Sequence, residues 1–338
     1  MVQKSAKREG LADGMPRDER GYWQPDKEIG APNPMFAWPP RPVAVVKWFY
    51  HHLWPWNIFY MVVAALTWLY LTPEPSRTAE FRVDWMLEIF ARNLVMMTVF
   101  ASALHIWFWS RKVQGFRYKY TPDWMGKGKR QFLWNDQVRD NVFWSLASGV
   151  TIWTLFEAFM LRGYANNHFP WIDPREQPVY FIVILALIPM WRVFHFYWTH
   201  RLLHVKPLYK AAHYLHHRNI NIGPWSGLSM HPIEHLLYFT GPLIFFIVPS
   251  HPIHAILIGH HAALSAAQGH VGFEEAVVKD NVKLPVASYF HQLHHRYFEC
   301  NYGEPEFPFD HWFGTSHDGS PEMREKMLER TRRMHASN

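Results

Sequence analysis

The chain has 338 residues, of which 17% are aromatic and 18% are charged, and its formal net charge is +6. Large aromatic side chains gather at membrane interfaces, so this balance favours a membrane protein over two soluble domains. The single cysteine, Cys300, excludes a disulfide framework and any cysteine-rich zinc or iron–sulfur site. The modest positive charge suits anionic lipid, and no basic stripe or nucleic-acid motif points to a nucleic-acid partner.

The ends of the chain differ in composition from its middle. Residues 1–42 are polar, proline-rich and mixed in charge, with no visible signal peptide, which predicts a cytosolic, largely irregular arm. We expect residues 43–318 to form the membrane and catalytic domain, with its histidine motifs between residues 195 and 295. Residues 319–338 are then a cytosolic tail.

Four stretches almost free of formal charge are long enough to cross a hydrocarbon core of about 30 Å. They cover residues 53–72, 93–110, 141–156 (or to 161, if Glu157 lies near an interface) and 177–191, the last continuing past Arg192 to residue 198. Aromatic residues near several of the ends match an interfacial belt. The alternative, buried helices of a large soluble protein, is disfavoured by the number of stretches and tryptophans.

The loop between the second and third stretches indicates the orientation. Residues 111–139 contain eight lysines and arginines against two aspartates, so the positive-inside rule places them in the cytoplasm. Both termini and the histidine-rich region then face the cytoplasm, in a bacterial inner membrane or the endoplasmic reticulum. Further on, three prolines interrupt the uncharged residues 236–273, which predicts a re-entrant or interfacial hairpin of two half-depth helices, 236–248 and 253–268.

Ten histidines fall into clusters with helical spacing, and an eleventh, His270, stands alone. The clusters are His200-x3-His204, His213-x2-His216-His217, His231-x3-His235 and His291-x2-His294-His295. Residues three and four apart share a helix face, so each cluster can direct its imidazoles to one point. Because one ion takes about four to six ligands and histidine is a common metal ligand, this many imidazoles indicates two adjacent ions.

Histidines outside these patterns are more often packing or hydrogen-bonding residues. We interpret His251, His254, His260 and His261 in this way, together with the scattered His51, His52, His105, His168, His311, His317 and His335. His195 stays open, since it precedes His200 on the same predicted helix but off its face.

The ligand types narrow the chemistry. A soluble di-iron bundle uses Glu-x-x-His motifs, and the chain has none. Imidazole-rich sites favour iron, zinc or copper, and zinc hydrolases usually need only three protein ligands. Two irons would instead supply two redox-active centres for dioxygen.

The motifs resemble a known family. His200-Arg201-Leu202-Leu203-His204, His213-Tyr214-Leu215-His216-His217 and His291-Gln292-Leu293-His294-His295 look like the three histidine boxes of the fatty acid hydroxylase and sterol desaturase superfamily. Phe196-Tyr197-Trp198, His231-Pro232-Ile233-Glu234, Gly269-His270-Val271-Gly272, Asn301-Tyr302-Gly303 and residues 310–315 extend the match, which covers about 140–318. Residues 216–232 look most like the sterol C-5 desaturase branch. Val271 departs from the family, which usually has serine there.

The resemblance implies an all-α integral membrane fold of four transmembrane helices with a cytosolic helical cap over a dimetal site. It implies two iron ions, for which zinc can substitute in purified protein, and electrons from NAD(P)H through a b-type cytochrome, a ferredoxin or a reductase. The implied ligands are His200, His204, His213, His216, His217, His231, His270, His291, His294 and His295.

Four further residues complete the predicted site. His235 either binds metal or supports His231, and Glu234 either orients a ligand imidazole or caps a helix. Asp310 is expected to fix the C-terminal fold through hydrogen bonds, and Asn301 to form a turn after the last cluster.

The predicted function is an oxidoreductase that uses O2 and two electrons to hydroxylate or desaturate a C–H bond of a lipid, either sterol-like or fatty-acyl. Two alternatives stay open: a membrane metal-ion transporter and a bis-histidine haem electron carrier. Transport sites lie near the bilayer midplane, whereas these clusters follow the last predicted span.

Overall fold

The computed structural model describes residues 14–26, 29–30, 33–279 and 282–336. Its helices are α1 (Pro42–Leu53), α2 (Trp56–Tyr70), α3 (Pro75–Thr78), α4 (Val83–His105), α5 (Gln137–Trp144), α6 (Thr151–Ala165), α7 (Pro178–Leu203), α8 (Lys206–Leu208), α9 (Tyr214–His217), α10 (Pro232–Tyr238), α11 (Pro252–Gly269), α12 (Tyr289–Tyr297), α13 (Phe309–Trp312) and α14 (Pro321–Ala336). Shorter 3₁₀ turns are Pro34–Phe36, Leu133–Asn135, Pro224–Ser226 and Gly241–Phe246, and π-helical turns are Ile106–Ser110, Ser145–Val150 and Tyr209–His213.

Three apolar helices are long enough to cross a membrane. They are Val83–Ser110, Gln137–Ala165 and Pro178–Leu203, the first two continuing through π-helical turns. The first predicted span is shorter than expected, because the helix is interrupted at Trp54–Pro55 and α2 has only 15 residues. That is about 22 Å of helix against a hydrocarbon core of about 30 Å. The structure thus gives three candidate spans and one short apolar helix.

Helix α11 lies at the centre of the bundle, where α2, α4, α6 and α7 pack around it. Fifteen of its 18 residues are buried. The predicted helix 253–268 is confirmed as α11 (Pro252–Gly269), whereas the predicted helix 236–248 is replaced by the end of α10 and the 3₁₀ turn Gly241–Phe246. Small and apolar side chains allow this close packing, and the helix contains no formally charged residue to oppose its burial.

The histidines of α11 bond to its neighbours. His254 Nε2 donates to the carbonyl of Phe181 at 3.1 Å, and His261 Nε2 donates to Asn57 Oδ1 at 2.9 Å. His260 Nε2 lies 3.0 Å from Thr67 Oγ1. These contacts fit the interpretation of the three histidines as packing and hydrogen-bonding residues.

Glu157 forms an ion pair within the bundle. Its carboxylate lies 2.5 Å from Arg92 of α4 and also accepts from Asn93 Nδ2 at 3.1 Å. Both charged side chains are almost fully buried, so each offsets the cost of burying the other.

A small sheet, which the all-α prediction did not include, connects α11 to α12. Strands β1 (Glu275–Lys279) and β2 (Val282–Pro285) pair antiparallel, with Glu275 opposite Pro285 and Ala276 opposite Leu284. Ala276 is the buried residue of β1, and the strand ends on the exposed Val278 and Lys279.

Both terminal segments pack against the histidine-bearing end. In the described part of the arm the only helical turn is Pro34–Phe36, in keeping with the irregular segment predicted, yet Trp23 is buried against Tyr120 and Tyr289. Asp18 pairs with Arg296 of α12 at 3.0 Å. At the other end, α14 buries Met327 in the same cluster.

One glycine sets the distance between the 3₁₀ turn Pro224–Ser226 and α11. A Cβ on Gly227 would lie 2.1 Å from the carbonyl oxygen of Ala266 in the α11 backbone. We expect Gly227→Ala to destabilise the fold by about 1–3 kcal/mol, because the α11 backbone must move away from the added methyl group. The thermal unfolding midpoint measured in detergent should fall accordingly. Gly269→Ala, whose Cβ meets nothing within 4 Å, is the matched control. Equal midpoints for the two variants would contradict this packing.

Glu274 gives the fold a pH dependence. Its carboxylate accepts from Tyr120 OH at 2.7 Å and from the Tyr289 amide at 2.9 Å, and burial raises its pKa to about 7. Since the folded pKa exceeds the unfolded one, this group's contribution to stability falls as pH rises from about 4.5 to 7. Glu274→Gln should therefore gain thermal stability relative to the wild type between pH 5 and pH 8. A constant difference across that range would contradict the assignment.

Candidate metal centre

Nine of the predicted histidines converge in two groups. Site 1 contains His200, His204, His213, His217 and His294, and site 2 contains His216, His270, His291 and His295. The donor nitrogens of each group all lie within 4.8 Å of one another, and every member except the half-buried His204 is buried.

Two short helices each serve both sites. The π-helical turn Tyr209–His213 and α9 supply His213 and His217 to site 1 and His216 to site 2. Helix α12 supplies His294 to site 1 and His291 and His295 to site 2. Ring centroids across the boundary are close, 5.0 Å for His217 and His295. The two sites are therefore neighbours within one pocket.

Two long helices complete the sites from opposite directions. The last turn of α7 carries His200 and the residue that caps it is His204, so both enter site 1. The cap of α11 is His270, whose Nδ1 donates to the carbonyl of Ala266 at 2.9 Å. Site 2 thus depends on where the buried helix α11 ends.

Hydrogen bonds fix which ring nitrogen carries the proton. His200 Nδ1 lies 2.6 Å from the carbonyl oxygen of Tyr302, and His294 Nδ1 lies 2.6 Å from that of Cys300. A carbonyl only accepts, so both Nδ1 atoms carry hydrogen. His213 Nδ1 lies 2.8 Å from Glu234 Oε1, which accepts its hydrogen when Glu234 is ionised. The Nε2 atoms of these neutral rings are therefore left with lone pairs.

These lone pairs face one another. The Nε2 atoms of His200 and His213 are 3.1 Å apart, and that of His200 carries no proton. His213 Nε2 also lies 3.1 Å from His204 Nε2 and 2.9 Å from His217 Nε2. Rings that all present an Nε2 lone pair at this distance repel one another unless a cation lies between them.

The spacing matches ligands around a metal ion. With metal–nitrogen bonds of about 2.1 Å, adjacent ligands stand about 3.0 Å apart in an octahedron and about 3.4 Å apart in a tetrahedron. The contacts in site 1 are 2.9–3.1 Å and those in site 2 are 3.1–3.3 Å. The residues present therefore fit one ion in each site.

Burial keeps the ligands neutral. It lowers the pKa of His213, His217 and His295 well below the ordinary value, and neighbouring imidazoles lower it further. For His270, burial lowers the pKa to about 4. Neutral imidazole is the form that binds metal.

Two predicted ligands lie outside both sites. His231 Nδ1 accepts the Ile233 amide at 3.3 Å and caps α10. His235 lies 2.9 Å from Ser148 Oγ through Nδ1 and donates to the Leu228 carbonyl through Nε2 at 3.2 Å. The i, i+4 spacing did place them near each other, but His231 Nδ1 caps α10 and both ring nitrogens of His235 have partners outside the two sites.

The three predicted supporting residues act through hydrogen bonds. Glu234 orients His213, the first of the two roles considered. Asp310 accepts from the Tyr302 and Gly303 amides at 2.9 and 2.8 Å, and so holds the turn whose carbonyl receives His200. Asn301, with φ of 52°, ties that turn to the carbonyls of Phe290 and His317.

The carbonyls of Cys300 and Tyr302 were not predicted to orient His294 and His200. A backbone carbonyl can accept a hydrogen bond whatever its side chain is, so the residue type does not reveal it. Only the neighbouring Asn301-Tyr302-Gly303 motif pointed to this turn. His195, which the sequence left open, lies outside both sites, with Nε2 2.8 Å from Thr240 Oγ1.

A cavity of about 320 Å³ opens onto the centre. It reaches His200, His213, His216, His270 and His291, and extends between α7, α11 and the segment around Trp54–Asn57. Tyr60, Phe196, Met230 and Tyr238 line its walls. A mostly apolar space of this kind suits an elongated apolar molecule lying with one part against the candidate ligands.

These features define a helical, membrane-type protein with a candidate dimetal centre of imidazoles beside an apolar cavity. Residues 184–315 match the family model for fatty acid hydroxylase. The match covers 132 of the chain's 338 residues and confirms the resemblance seen in the histidine motifs.

Curated relatives point to the same branch. The chain is 29% identical over 154 residues to a Delta(7)-sterol-C5(6)-desaturase of Nicotiana tabacum, covering 44% of this chain and 54% of that protein. It is 30% identical to a Delta(7)-sterol 5(6)-desaturase of Gibberella zeae, covering 38% and 39%. A very-long-chain aldehyde decarbonylase of Oryza sativa is 31% identical, covering 44% and 26%. The matches thus span about half of these relatives or less. No solved structure matches the chain.

The two sites make a measurable prediction about metal content. Purified in detergent, the full chain should hold two metal ions, and His294→Ala should lower the content of tightly held metal by about one ion, because site 1 loses a ligand. His231→Ala, which removes a helix cap, should keep both. Elemental analysis of the folded proteins measures this. Equal metal loss in the two variants would contradict the grouping.

Proposed function

We propose that the protein is a membrane-bound di-iron oxidoreductase that uses O2 and two electrons to desaturate or hydroxylate a C–H bond of a lipid. The observation that carries this proposal is the convergence of imidazole Nε2 atoms, 2.9–3.3 Å apart, in two adjacent groups that face an apolar cavity. Imidazole-rich sites of this kind accept iron, and two irons offer two redox-active centres.

The lipid substrate is supported by both the cavity and the relatives. Sterol desaturases and an aldehyde decarbonylase share this domain, and each of those names describes an apolar substrate. Hydroxylation of R–H consumes O2, two electrons and two protons and gives R–OH and one water. Desaturation of CH2–CH2 consumes the same reactants and gives CH=CH and two waters. The ligand shell serves either outcome.

The bound irons would supply dioxygen activation, and the chain supplies the surroundings. Glu234 and the carbonyls of Tyr302 and Cys300 hold three imidazoles in one tautomer and orientation, so their lone pairs point at the site before metal arrives. Phe196 stacks on His200 with centroids 4.8 Å apart. Buried aromatic walls exclude water and hold an apolar chain against the ligands.

The proposed reaction needs two electrons from a donor. We propose a b-type cytochrome, a ferredoxin or a reductase supplied by NAD(P)H. The basic loop of residues 111–139 supports a cytoplasmic orientation for the candidate centre and both termini.

The geometry disfavours the two alternatives. A bis-histidine haem needs its imidazoles on opposite faces of a macrocycle, whereas these nitrogens converge in groups of five and four. A transporter needs an ion path near the bilayer midplane, and among the described residues both clusters lie at helix ends with their nitrogens turned inward.

Lipid profiling tests the function. Cells that produce the wild-type chain should gain a lipid changed by one added oxygen or by the loss of two hydrogens, detected by mass spectrometry. His216→Ala should abolish that change because site 2 loses a ligand, while His231→Ala should keep it. Membrane expression of all three proteins is the control. An unchanged lipid profile in cells with a metal-loaded wild type and a functional donor would refute the proposal.

A further inference from the structure

Arg192 is a buried cation without a carboxylate partner. It lies in α7, is 3% exposed, and lines the cavity that leads to the candidate metal centre. No aspartate or glutamate of the described residues forms an ion pair with it. The other guanidinium buried in this bundle, Arg92, does have such a partner in Glu157.

The contacts of Arg192 orient it without neutralising it. Nη1 donates to His195 Nδ1 at 3.3 Å, and Nε2 of His195 then donates to Thr240 Oγ1 at 2.8 Å. The Thr240 hydroxyl donates a hydrogen bond to the carbonyl of Leu237 at 2.7 Å. The guanidinium carbon lies 4.8 Å from the centre of the Tyr238 ring. One donor, Nε, is buried with no partner.

A chain of hydrogen bonds that ends on a neutral carbonyl leaves the positive charge uncompensated. Charged groups within apolar helices are costly and usually face a cavity or a substrate path. An arginine there presents a planar set of donors that suits oxygen acceptors, above all a carboxylate.

The position of Arg192 relates it to the metal centre. Arg192, Phe196 and His200 lie on one face of α7 and all three line the cavity. Eight residues separate Arg192 from His200, which is about 12 Å along the helix axis. A lipid lying along this face could place an oxygen at Arg192 and an unactivated carbon near the metal ligands.

We propose that Arg192 binds an oxygen of the lipid substrate, a carboxylate or a hydroxyl, and so sets which carbon reaches the centre. This proposal rests on the proposed function, because only that function makes the molecule in the cavity a substrate. The need of the Arg192 guanidinium for an oxygen acceptor is the same whether the lipid is then desaturated or hydroxylated.

Matched probe pairs test the inference by binding rather than turnover. The full, metal-loaded chain in detergent is titrated with octadecanoic acid against octadecane, and with cholesterol against cholestane. In at least one pair the oxygen-bearing probe should bind about ten- to a hundredfold more tightly, as expected for a hydrogen bond to a charged group. Preference in the first pair indicates a carboxylate, and preference in the second a hydroxyl. Equal affinity within both pairs overturns the proposal.

Substitution then assigns the preference to Arg192. Arg192→Met should remove the difference between the paired probes while the hydrocarbon's affinity stays the same. Arg162→Met is the control, since Arg162 also lies over an aromatic ring, 5.0 Å from that of Phe81, and lines no part of this cavity. If Arg192→Met does not fold, Arg192→Gln replaces it. A preference that survives in a folded Arg192 variant overturns the proposal.

The two proposals fail in different ways. A wild type that changes no lipid, yet binds the oxygen-bearing probe more tightly through Arg192, refutes the oxidoreductase and keeps the binding site. A wild type that oxidises a lipid with unchanged selectivity in Arg192→Met refutes the binding role and keeps the oxidoreductase.

Discussion

The structure is organised around imidazole lone pairs that face one another. Nε2 atoms of His200, His204, His213 and His217 lie 2.9–3.1 Å apart, and three of the site's Nδ1–H groups are bonded to fixed acceptors on the outside. Such a cluster is repulsive unless a cation occupies its centre. Everything around it therefore has to hold the rings inward.

Much of the fold serves that requirement. Helix α11 is buried along nearly its whole length, so its end fixes His270, and Gly227 lets the preceding turn approach its backbone. On the other side, Asp310 holds the Tyr302 turn that receives His200. The π-helical turn at Tyr209–His213 shifts the register so that α9 contributes to both sites. Turns of this type are frequent at functional sites.

The same helices also form the cavity. One face of α7 carries Arg192 within the bundle and His200 at its end, which joins an oxygen-binding cation to the metal centre by a rigid element about 12 Å long. Helices place groups more precisely than loops do. Selectivity for a position on a long, flexible lipid would follow from that fixed distance.

The sequence by itself determined which side chains are available as metal ligands. Helical spacing put His213 with His217, and His291 with His295, on common faces, and the motifs around them identified the family before any coordinates. Long uncharged runs likewise gave three of the apolar helices, because hydropathy and length are local properties.

The tertiary structure decided what depends on distant neighbours. His231 and His235 have the same spacing as His200 and His204, but capping of α10 and the contacts with Ser148 and Leu228 draw them away. The helix predicted over residues 253–268 forms as α11, and its place at the centre of the bundle follows from the four helices that surround it. Arg192 looked like an interruption in a span, and only the packing of Tyr238 and Thr240 showed a buried charge facing a cavity. The spacing of residues along the chain limits which side chains can meet, and the packing of the helices determines which of them do.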